Sequence, residues 1–540
     1  MNFYMSFQTF IRFRIACLLA SVCMTLVIAV LLPHQSEFPA VGGLSWVAFC
    51  ALLVSTIVLG CLLTITFASD DQLERWGGTM TGYATLWASG NRALSLRTRL
   101  IVFLVAVASY SVLMARFVPL NYRLNTDQRE YLILTEDMAD SQREATLIQR
   151  MFEGDYREAN RHPLYPALLA LVVPHVDQEI RFLVSKCLSV AVGGVVLLLL
   201  AWSIARQFGA PVSAITTLLL ATNFAFGHAA SRISCEGLLV LWSVLLWLSC
   251  HRHMFCFSEM SGVKDGPVYR KSVWTGGIAI GVFAGLAYLT KASALLLCVG
   301  LIGTLCIPDF LMKKFGQKHA AGWKRITSVA GLCFLMVTSP LLVRNMTLYG
   351  SPFYNSNTAF LFTDTFSEAL QRSDPSRSLE EIETTFQAAR RYFSEHHPGE
   401  IMMRMARGVV YELFIFCRTL GPTPLGETRV FFGITWLLLA GLGMWIEKGW
   451  DVLGITWGLL FVVLFGWYVP IASGDRFLLP LMAPVYVYAS QALLKIFSSH
   501  IRDFRRAEGY MLCLIILWVL GCVGGSLLSG SLVERFISAT

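Results

Sequence analysis

Apolar runs of about 20 residues recur along nearly the whole chain, and they constrain its fold more than any other feature. A helix needs about 20 apolar residues to cross the roughly 30 Å of hydrocarbon in a bilayer, where backbone polar groups find partners only within their own segment. Of the 540 residues, 55% are hydrophobic and only 14% are charged. Soluble domains, in contrast, carry about 25% charged residues. The sequence therefore predicts an all-α, polytopic integral membrane protein.

The apolar runs predict about thirteen transmembrane helices. We place them at about 13–33, 43–68, 99–118, 180–205, 212–229, 234–250, 274–290, 292–309, 327–343, 430–446, 452–470, 477–497 and 509–530. Lys and Arg gather in alternate connections, whereas the connection 34–42 contains neither. Because basic connections stay on the cytoplasmic side, we expect a cytoplasmic N-terminus. We attribute the net charge of +8 to basic cytoplasmic loops that face anionic lipid head groups, and we expect no nucleic-acid partner.

The longest charged interval between two predicted spans is the first outer loop, 119–179. In this loop Glu130 follows Asp127 by three residues, which resembles a capping box opening a helix over 128–139. Asp127 also stands just past a span, where its carboxylate could act as a general base. Apolar residues at helical spacing predict a second short helix around 147–152. The capping role and the chemical role are compatible, and both stay open.

Four ionisable residues stand at the ends of predicted spans, all on the outer side: Glu236, Lys291, Arg344 and Arg476. Charged groups at membrane depth are costly and usually functional. The alternative is that such side chains merely snorkel to the interface, or that Lys291 caps the helix before it. Because all four face one compartment together with the acidic loop, we predict that they share a site with Asp127.

The segment RHPLYP contains two prolines three residues apart, Pro163 and Pro166. We therefore expect no regular helix to start before Pro166. We interpret His162 and Tyr165, which lie in this segment, either as packing residues or as part of a shelf for a substrate.

Taken in order, these segments resemble the GT-C glycosyltransferases, a group of polytopic enzymes. Within this group the closer resemblance is to the branch that includes the bacterial aminoarabinose transferase of lipid A, the protein O-mannosyltransferases and the RgtA/B/C/D-like enzymes. After the acidic residue and HPLYP (162–166), the matching segments are SRISCEGLLVLWSVLLWL (231–248), GLAYLTKASALLL (285–297), PLLVRNMTLYGSPF (340–353) and DRFLLPLMAP (475–484). The resemblance covers about 99–497. Two positions depart from it: Gln128 follows Asp127 where the family often has Glu, and Glu236 stands where several members have Asp.

The resemblance implies a GT-C-like fold with outer-side juxtamembrane helices, in a bacterial inner (plasma) membrane. It also implies transfer of a sugar from a polyprenyl-phosphate-linked donor to a lipid, glycan or protein acceptor on the non-cytoplasmic side. Asp127 would take the proton of the acceptor hydroxyl, and Glu236 would orient the acceptor or share a divalent ion, Mg²⁺ or Mn²⁺, with Asp127. The cations Lys291, Arg344 and Arg476 would bind the leaving phosphate. A single displacement would invert the anomeric carbon.

A transporter or flippase of lipid-linked sugars is the alternative from another functional class. Transporters commonly carry broken helices and ion sites near the bilayer midplane. In this chain the charged residues gather at one face, which favours the enzyme.

The chain divides into four predicted regions. Residues 1–98 form an N-terminal two-span addition with a cytoplasmic loop, and 99–343 form the catalytic transmembrane core with the first outer loop. Residues 344–429 form an outer-side loop with amphipathic helices, and 430–540 form a C-terminal transmembrane bundle. The segment 402–421 is apolar enough for a further span. A span there would break the alternation of basic connections, so we predict a helix on the outer surface.

Overall fold

A computed structural model describes residues 96–120, 126–141, 146–257, 267–320, 322–372, 385–422, 429–446, 450–500, 504–524 and 526. The predicted spans 13–33 and 43–68 lie outside the described residues, as does nearly all of the predicted N-terminal addition over 1–98. Helices dominate the described portion of the chain, as the sequence predicts.

The first half of the described chain holds one long helix, a group of short helices, and then the central helices. In chain order these are α1 (Leu96–Leu120), α2 (Thr126–Ser141), α3 (Leu147–Glu153), α4 (Leu164–Ala170), α5 (Arg181–Phe208), α6 (Ala210–Ala221), α7 (Phe224–Ala230), α8 (Glu236–His253), α9 (Pro267–Thr290), α10 (Leu295–Leu305) and α11 (Asp309–Lys314). The two short helices predicted in the first outer loop are confirmed as α2 and α3. The prediction that no helix starts before Pro166 is wrong: α4 begins at Leu164, and Pro166 fits in its first turn, where a backbone N–H has no partner within the helix.

The second half continues with α12 (Trp323–Tyr349), α13 (Phe366–Arg372), α14 (Thr385–Glu395), α15 (Pro398–Thr419), α16 (Arg429–Ile446), α17 (Val452–Tyr468), α18 (Met482–His500) and α19 (Phe504–Val519). A short π-helical turn, Leu520–Gly524, follows α19. Short 3₁₀ turns occupy Val173–His175, Gln178–Ile180, Ala292–Ala294, Ser356–Phe362, Asp475–Phe477 and Leu479–Leu481.

Two short strands lie among the helices and leave the predicted all-α class unchanged. Strand β1 (Phe255–Phe257) pairs antiparallel with β2 (Gln317–His319), so that Phe255 lies opposite His319. Each strand has three residues and lies in a connection between helices, where no helix supplies partners for the backbone. The ladder satisfies those polar groups, and its shortness explains why no alternation is visible in the sequence.

Five helical segments in the described chain are long and apolar enough to cross a membrane: Thr98–Val118, Gln178–Phe208, Val273–Thr290, Trp323–Tyr349 and Arg429–Ile446. Shorter apolar helices cover Ala210–Ala221, Ala292–Leu305, Val452–Tyr468 and Tyr510–Gly524. The total of about thirteen spans stays a prediction.

The predicted span 212–229 is two helices rather than one, because α6 ends at Ala221 and α7 begins at Phe224. Asn223 occupies the break. Its side chain accepts a hydrogen bond from the Phe226 backbone N–H at 2.8 Å and donates to the Thr419 carbonyl at 2.7 Å. An Asn side chain competes well for backbone hydrogen bonds, which is why it ends one helix and caps the next.

Helices α9 and α12 pack closely through three glycines of α9 spaced four residues apart, Gly277, Gly281 and Gly285. A Cβ atom on Gly281 would lie 2.3 Å from the Ala330 carbonyl oxygen, so a larger residue has no room there. Small residues allow this kind of close backbone approach between membrane helices. The contact fixes the end of α9, where Lys291 follows, relative to Arg344 on α12.

Helices α8 and α17 are tied together at the end of the bundle that lies opposite Glu236. The buried Asp451 carboxylate accepts hydrogen bonds from Trp247 Nε1 at 2.8 Å and from His251 Nε2 at 2.9 Å. It also accepts the Gly454 backbone N–H at 2.8 Å and so caps α17. These hydrogen bonds fix α8 and α17 relative to each other at one end, and the candidate site lies near their opposite ends.

Candidate functional site

Asp127 and Arg476, which are far apart in the sequence, form an ion pair at one end of the bundle. The Arg476 Nη1 to Asp127 Oδ2 distance is 2.5 Å. Arg161 approaches the other carboxylate oxygen at 3.5 Å and also reaches Glu130 Oε2 at 3.7 Å. Helix α2 begins at Thr126, so Asp127 lies in its first turn rather than at the capping position. The side chain of Asp127 remains 48% exposed, so a substrate can reach it.

A second ion pair joins Glu236 and Lys291. The Lys291 Nζ to Glu236 Oε1 distance is 2.9 Å, and the Glu236 residue is only 5% exposed. Oε2 of Glu236 is buried and accepts no hydrogen bond from the described residues. Lys291 has an extended backbone (φ −158°, ψ 136°) between α9 and a 3₁₀ turn, so the helix break itself turns its side chain toward α8.

The two ion pairs lie next to each other. Lys291 Nζ is 5.3 Å from the centre of the Phe477 ring, and Arg476 lies 5.1 Å from the same ring. Burial opposes the charge of Arg476, but the carboxylates of Glu236 and Asp127 outweigh it and raise the pKa of this guanidinium. Arg476 therefore stays charged and is attracted to both acidic residues. Asp127, Glu236, Lys291 and Arg476 come from distant segments and lie together at one place, while their catalytic and binding roles stay predictions.

Hydrogen bonds hold α2 against the segment that leads into α8. The buried Gln128 side chain accepts a hydrogen bond from the Ile233 backbone N–H at 3.1 Å. Tyr131 OH donates to Cys235 Sγ at 3.1 Å. Gln128 and Tyr131 are close neighbours of Asp127, and Cys235 precedes Glu236. The position of the Asp127 carboxylate is therefore coupled to that of the Glu236 carboxylate. Gln128 has a structural role at the position where the sequence departs from the GT-C pattern.

Arg344 lies beside the 154–162 turn rather than in either ion pair. It is 2% exposed, and its Nη1 donates to the Glu158 backbone carbonyl. Its guanidinium lies 5.2 Å from the centre of the Tyr156 ring and 5.6 Å from that of Tyr349. Within the described residues Arg344 forms no ion pair with a carboxylate. It supports the turn that carries Arg161, and its predicted role in phosphate binding stays a prediction.

His162 and Tyr165 are buried next to the same turn. The His162 Nδ1 atom contacts the Tyr288 carbonyl, and burial lowers the pKa of His162 to about 4, so the ring is neutral at pH 7. Tyr165 OH lies 2.6 Å from Ser189 Oγ and accepts the Ser234 backbone N–H at 3.0 Å. Both side chains thus pack the walls behind the ion pairs. Their predicted contact with a substrate stays a prediction.

Three further charged residues belong to this region and were missed in the sequence: Arg161, Arg232 and Asp475. Burial and the neighbouring Arg476 lower the pKa of Arg232, against the attraction of Asp127 and Glu236. Asp475 accepts a hydrogen bond from Arg418 Nε at 3.0 Å and approaches Arg429 Nη1 at 3.5 Å. All three missed residues lie within or directly beside the segments singled out in the sequence. Their pairing partners come from other segments, which the sequence does not show.

The charge balance of the site favours an anionic ligand. Arg161, Arg232, Lys291 and Arg476 face the carboxylates of Asp127, Glu130 and Glu236. The further carboxylate, Asp475, pairs with two more cations, Arg418 and Arg429, so six cations face four carboxylates. Within the described part of the chain, no group of three or more His, Cys, Asp or Glu side chains is placed to hold a metal ion. The carboxylates of Asp127 and Glu236 already pair with cations, and the predicted Mg²⁺ or Mn²⁺ ion stays a prediction.

No family model and no curated protein matches the sequence. Similar solved structures include the oligosaccharyltransferase AglB of Archaeoglobus fulgidus in complex with an inhibitory peptide and a dolichol-phosphate. Its TM-score is 0.48 at 11% identity, over 79% of this chain and 55% of that one. ArnT from Cupriavidus metallidurans, bound to undecaprenyl phosphate, gives a TM-score of 0.27 at 14% identity, over 63% of this chain and 72% of that one. This chain thus spans about half the length of the archaeal protein.

Proposed function

We propose that this chain is a membrane glycosyltransferase of the GT-C type, which moves a sugar from a polyprenyl-phosphate-linked donor to an acceptor on the non-cytoplasmic side. The observation that carries the proposal is the pair of adjacent ion pairs, Asp127–Arg476 and Glu236–Lys291, at one end of an apolar helix bundle. It combines a reachable carboxylate with cations of the kind that bind a phosphate. The ordered sequence motifs around these residues support the same assignment.

Arg476 and Lys291 stabilise the leaving group in this proposal. When the bond between the anomeric carbon and the phosphate oxygen breaks, the electron pair passes to the phosphate, whose negative charge grows. Cations that are already in position stabilise this charge without reorganisation. A guanidinium can bind two phosphate oxygens at once, whereas the Lys291 ammonium acts as a point charge. Arg232 adds positive charge on the same side.

Asp127 is the general base in this proposal. The acceptor hydroxyl attacks the anomeric carbon from the face opposite the phosphate, and its proton passes to the Asp127 carboxylate. A single displacement without a covalent intermediate inverts the anomeric carbon. Arg161 and Arg476 fix the direction of this carboxylate, since each contacts one of its oxygens.

Glu236 orients the acceptor in this proposal. Its Oε1 atom is held by Lys291, and its Oε2 atom would accept a hydrogen bond from a hydroxyl of a substrate that enters beside it. A divalent ion held by Asp127 and Glu236 would supply positive charge to the donor phosphate. Activity that survives removal of divalent ions with a chelator would exclude this ion.

The proposal is tested by identifying the lipid that copurifies with the full chain and then assaying transfer. Mass spectrometry of the copurified lipid should find a polyprenyl phosphate that carries one sugar. Proteoliposomes with that lipid and an extract of candidate acceptors should then yield a glycosylated acceptor and free polyprenyl phosphate. Movement of the intact lipid-linked sugar between leaflets, with no glycosylated product, would instead establish the transporter.

A further inference from the structure

Helix α14 exposes two aromatic rings and one cation on a single face. Phe386 is 78% exposed and Phe393 is 52% exposed. Seven residues separate them, which is two helical turns, so both lie on the same side of the helix. Arg390 stands between them on that side and is also exposed. The opposite side is buried through Ala388 and Tyr392, so α14 has a fixed orientation on the protein.

The height of α14 relative to the bundle is set by Trp467, near the end of the apolar helix α17. The Trp467 ring centre lies 5.6 Å from that of Tyr392 and 6.3 Å from that of Phe393. Trp467 Nε1 also donates to the Leu361 carbonyl at 2.6 Å. Trp and Tyr concentrate where a membrane helix leaves the hydrocarbon. Helix α14 therefore lies at the level where α17 ends, and Tyr468 at that end is 6.2 Å from the ring of Phe477, which follows Arg476.

A network of polar contacts keeps α14 in this place. Asp364 accepts hydrogen bonds from Tyr392 OH at 2.9 Å, Arg404 Nη1 at 3.1 Å and His396 Nε2 at 2.9 Å. Arg404 also donates from Nε to the Trp467 carbonyl at 3.2 Å, and its guanidinium lies 4.4 Å from the Trp467 ring. These contacts tie α14 to α15 and α17 at the same point, so the Phe386–Phe393 face cannot turn inward.

We propose that α14 is an interfacial helix that inserts Phe386 and Phe393 into the leaflet on the side of the Asp127–Arg476 pair, while Arg390 binds the phosphate of an anionic lipid. Aromatic residues on one face combined with a basic residue are typical of helices that lie in the membrane interface. An Arg side chain at that height can reach the head groups while its stem stays among apolar groups. A protein partner would have to approach along the bilayer surface, because the exposed face of α14 lies at the level where α17 ends.

The test uses a photoreactive phenylalanine, p-benzoylphenylalanine, placed one position at a time in the full chain. Positions 386 and 393 probe the proposed face, and position 394 is the matched control, because Ser394 is exposed but lies about a quarter turn away from both Phe residues. Each variant is reconstituted in nanodiscs of phosphatidylethanolamine and phosphatidylglycerol, irradiated, and weighed by intact mass spectrometry. Thermal unfolding of each variant confirms that the replacement leaves the fold intact.

We expect lipid adducts at 386 and 393 and few at 394. The Arg390→Gln variant should lower the phosphatidylglycerol share of the adducts at 386 about fivefold, and Arg390→Lys should restore it, since one basic residue near an anionic surface is worth about 1 kcal/mol. Adduct yields at 386 and 393 no higher than at 394 would overturn the proposed insertion, as would cross-links to another protein in place of lipid. A phosphatidylglycerol share unchanged in Arg390→Gln would overturn the lipid contact of Arg390. None of these readouts depends on sugar transfer.

Discussion

Removal of Lys291 is the sharpest test of how the Glu236–Lys291 pair works. The two charged atoms are 2.9 Å apart, and their side chains are 7% and 22% exposed. At this distance their attraction is roughly 6 kcal/mol with an effective dielectric constant of about 20, before the cost of burying both charges is subtracted. In Lys291→Met the Glu236 carboxylate keeps that cost and loses its partner. Breaking a buried pair from one side typically costs about 3–5 kcal/mol of stability.

The double variant Glu236→Gln with Lys291→Met removes both charges together. Because no uncompensated charge remains, we expect its free energy of unfolding to lie within about 1 kcal/mol of the parent. Its sugar-transfer activity should nevertheless stay as low as that of Lys291→Met, because the cation for the leaving phosphate is gone. Unfolding by titration with a denaturing detergent in bicelles measures the first quantity, and product formation measures the second. A single variant as stable as the parent, or a double variant no more stable than the single one, would refute the assignment of a buried, coupled pair.

Other contacts of the site and the bundle give three further predictions. Arg344→Ala should destabilise the fold by roughly 2–4 kcal/mol and should lower activity by disturbing the 154–162 turn. Arg344→Lys should restore neither stability nor activity, because an ammonium cannot stack between two rings while it donates to Glu158. A Lys variant with parent-like stability and activity would contradict this. His162 has a pKa of about 4 in the folded chain, against an ordinary value of 6.5 in the unfolded chain. Because the unfolded chain binds the proton first, the free energy of unfolding should fall as the pH drops from about 6.5 to about 4. This loss, at most about 3 kcal/mol, should be absent in His162→Gln. Gly281→Leu should cost more than about 3 kcal/mol by separating α9 from α12, whereas Gly331→Leu, whose Cβ would meet nothing within 4 Å, should leave the unfolding temperature unchanged.

Much of the fold is visible in the sequence because bilayer physics leaves few choices. The ends of α1, α5 and α16 lie close to those of the predicted spans, since hydrocarbon demands continuous apolar helices. The break at Asn223 was missed because its partners, Thr419 and Tyr486, come from distant segments. The strands β1 and β2 were missed because each is too short to carry a pattern of its own and pairs with a distant segment.

The candidate site was predictable as a set of residues and less so as a geometry. The shared location of Asp127, Glu236, Lys291 and Arg476 follows from their positions at span ends on one side. Which charges pair could not be predicted, because Arg161 contacts Asp127 only after the 154–162 turn folds back over α2. Arg344 also stands at the end of a predicted span on that side, yet it contacts the Glu158 carbonyl and two aromatic rings. The position of a charged residue at a span end therefore predicts the side on which it lies, but it does not predict the residue with which it pairs.

The rate of sugar transfer by Asp127→Asn is the most direct test of the proposed enzyme. The variant keeps the size of the side chain and removes the proton acceptor, so we expect a rate about 100- to 10,000-fold below that of the parent in the same proteoliposomes. Glu136→Gln is the matched control, because Glu136 lies on the same helix but pairs with Arg181 at 2.9 Å, away from Arg476. The control should transfer sugar at nearly the parent rate. An Asp127→Asn protein that transfers sugar as fast as this control would contradict the central claim.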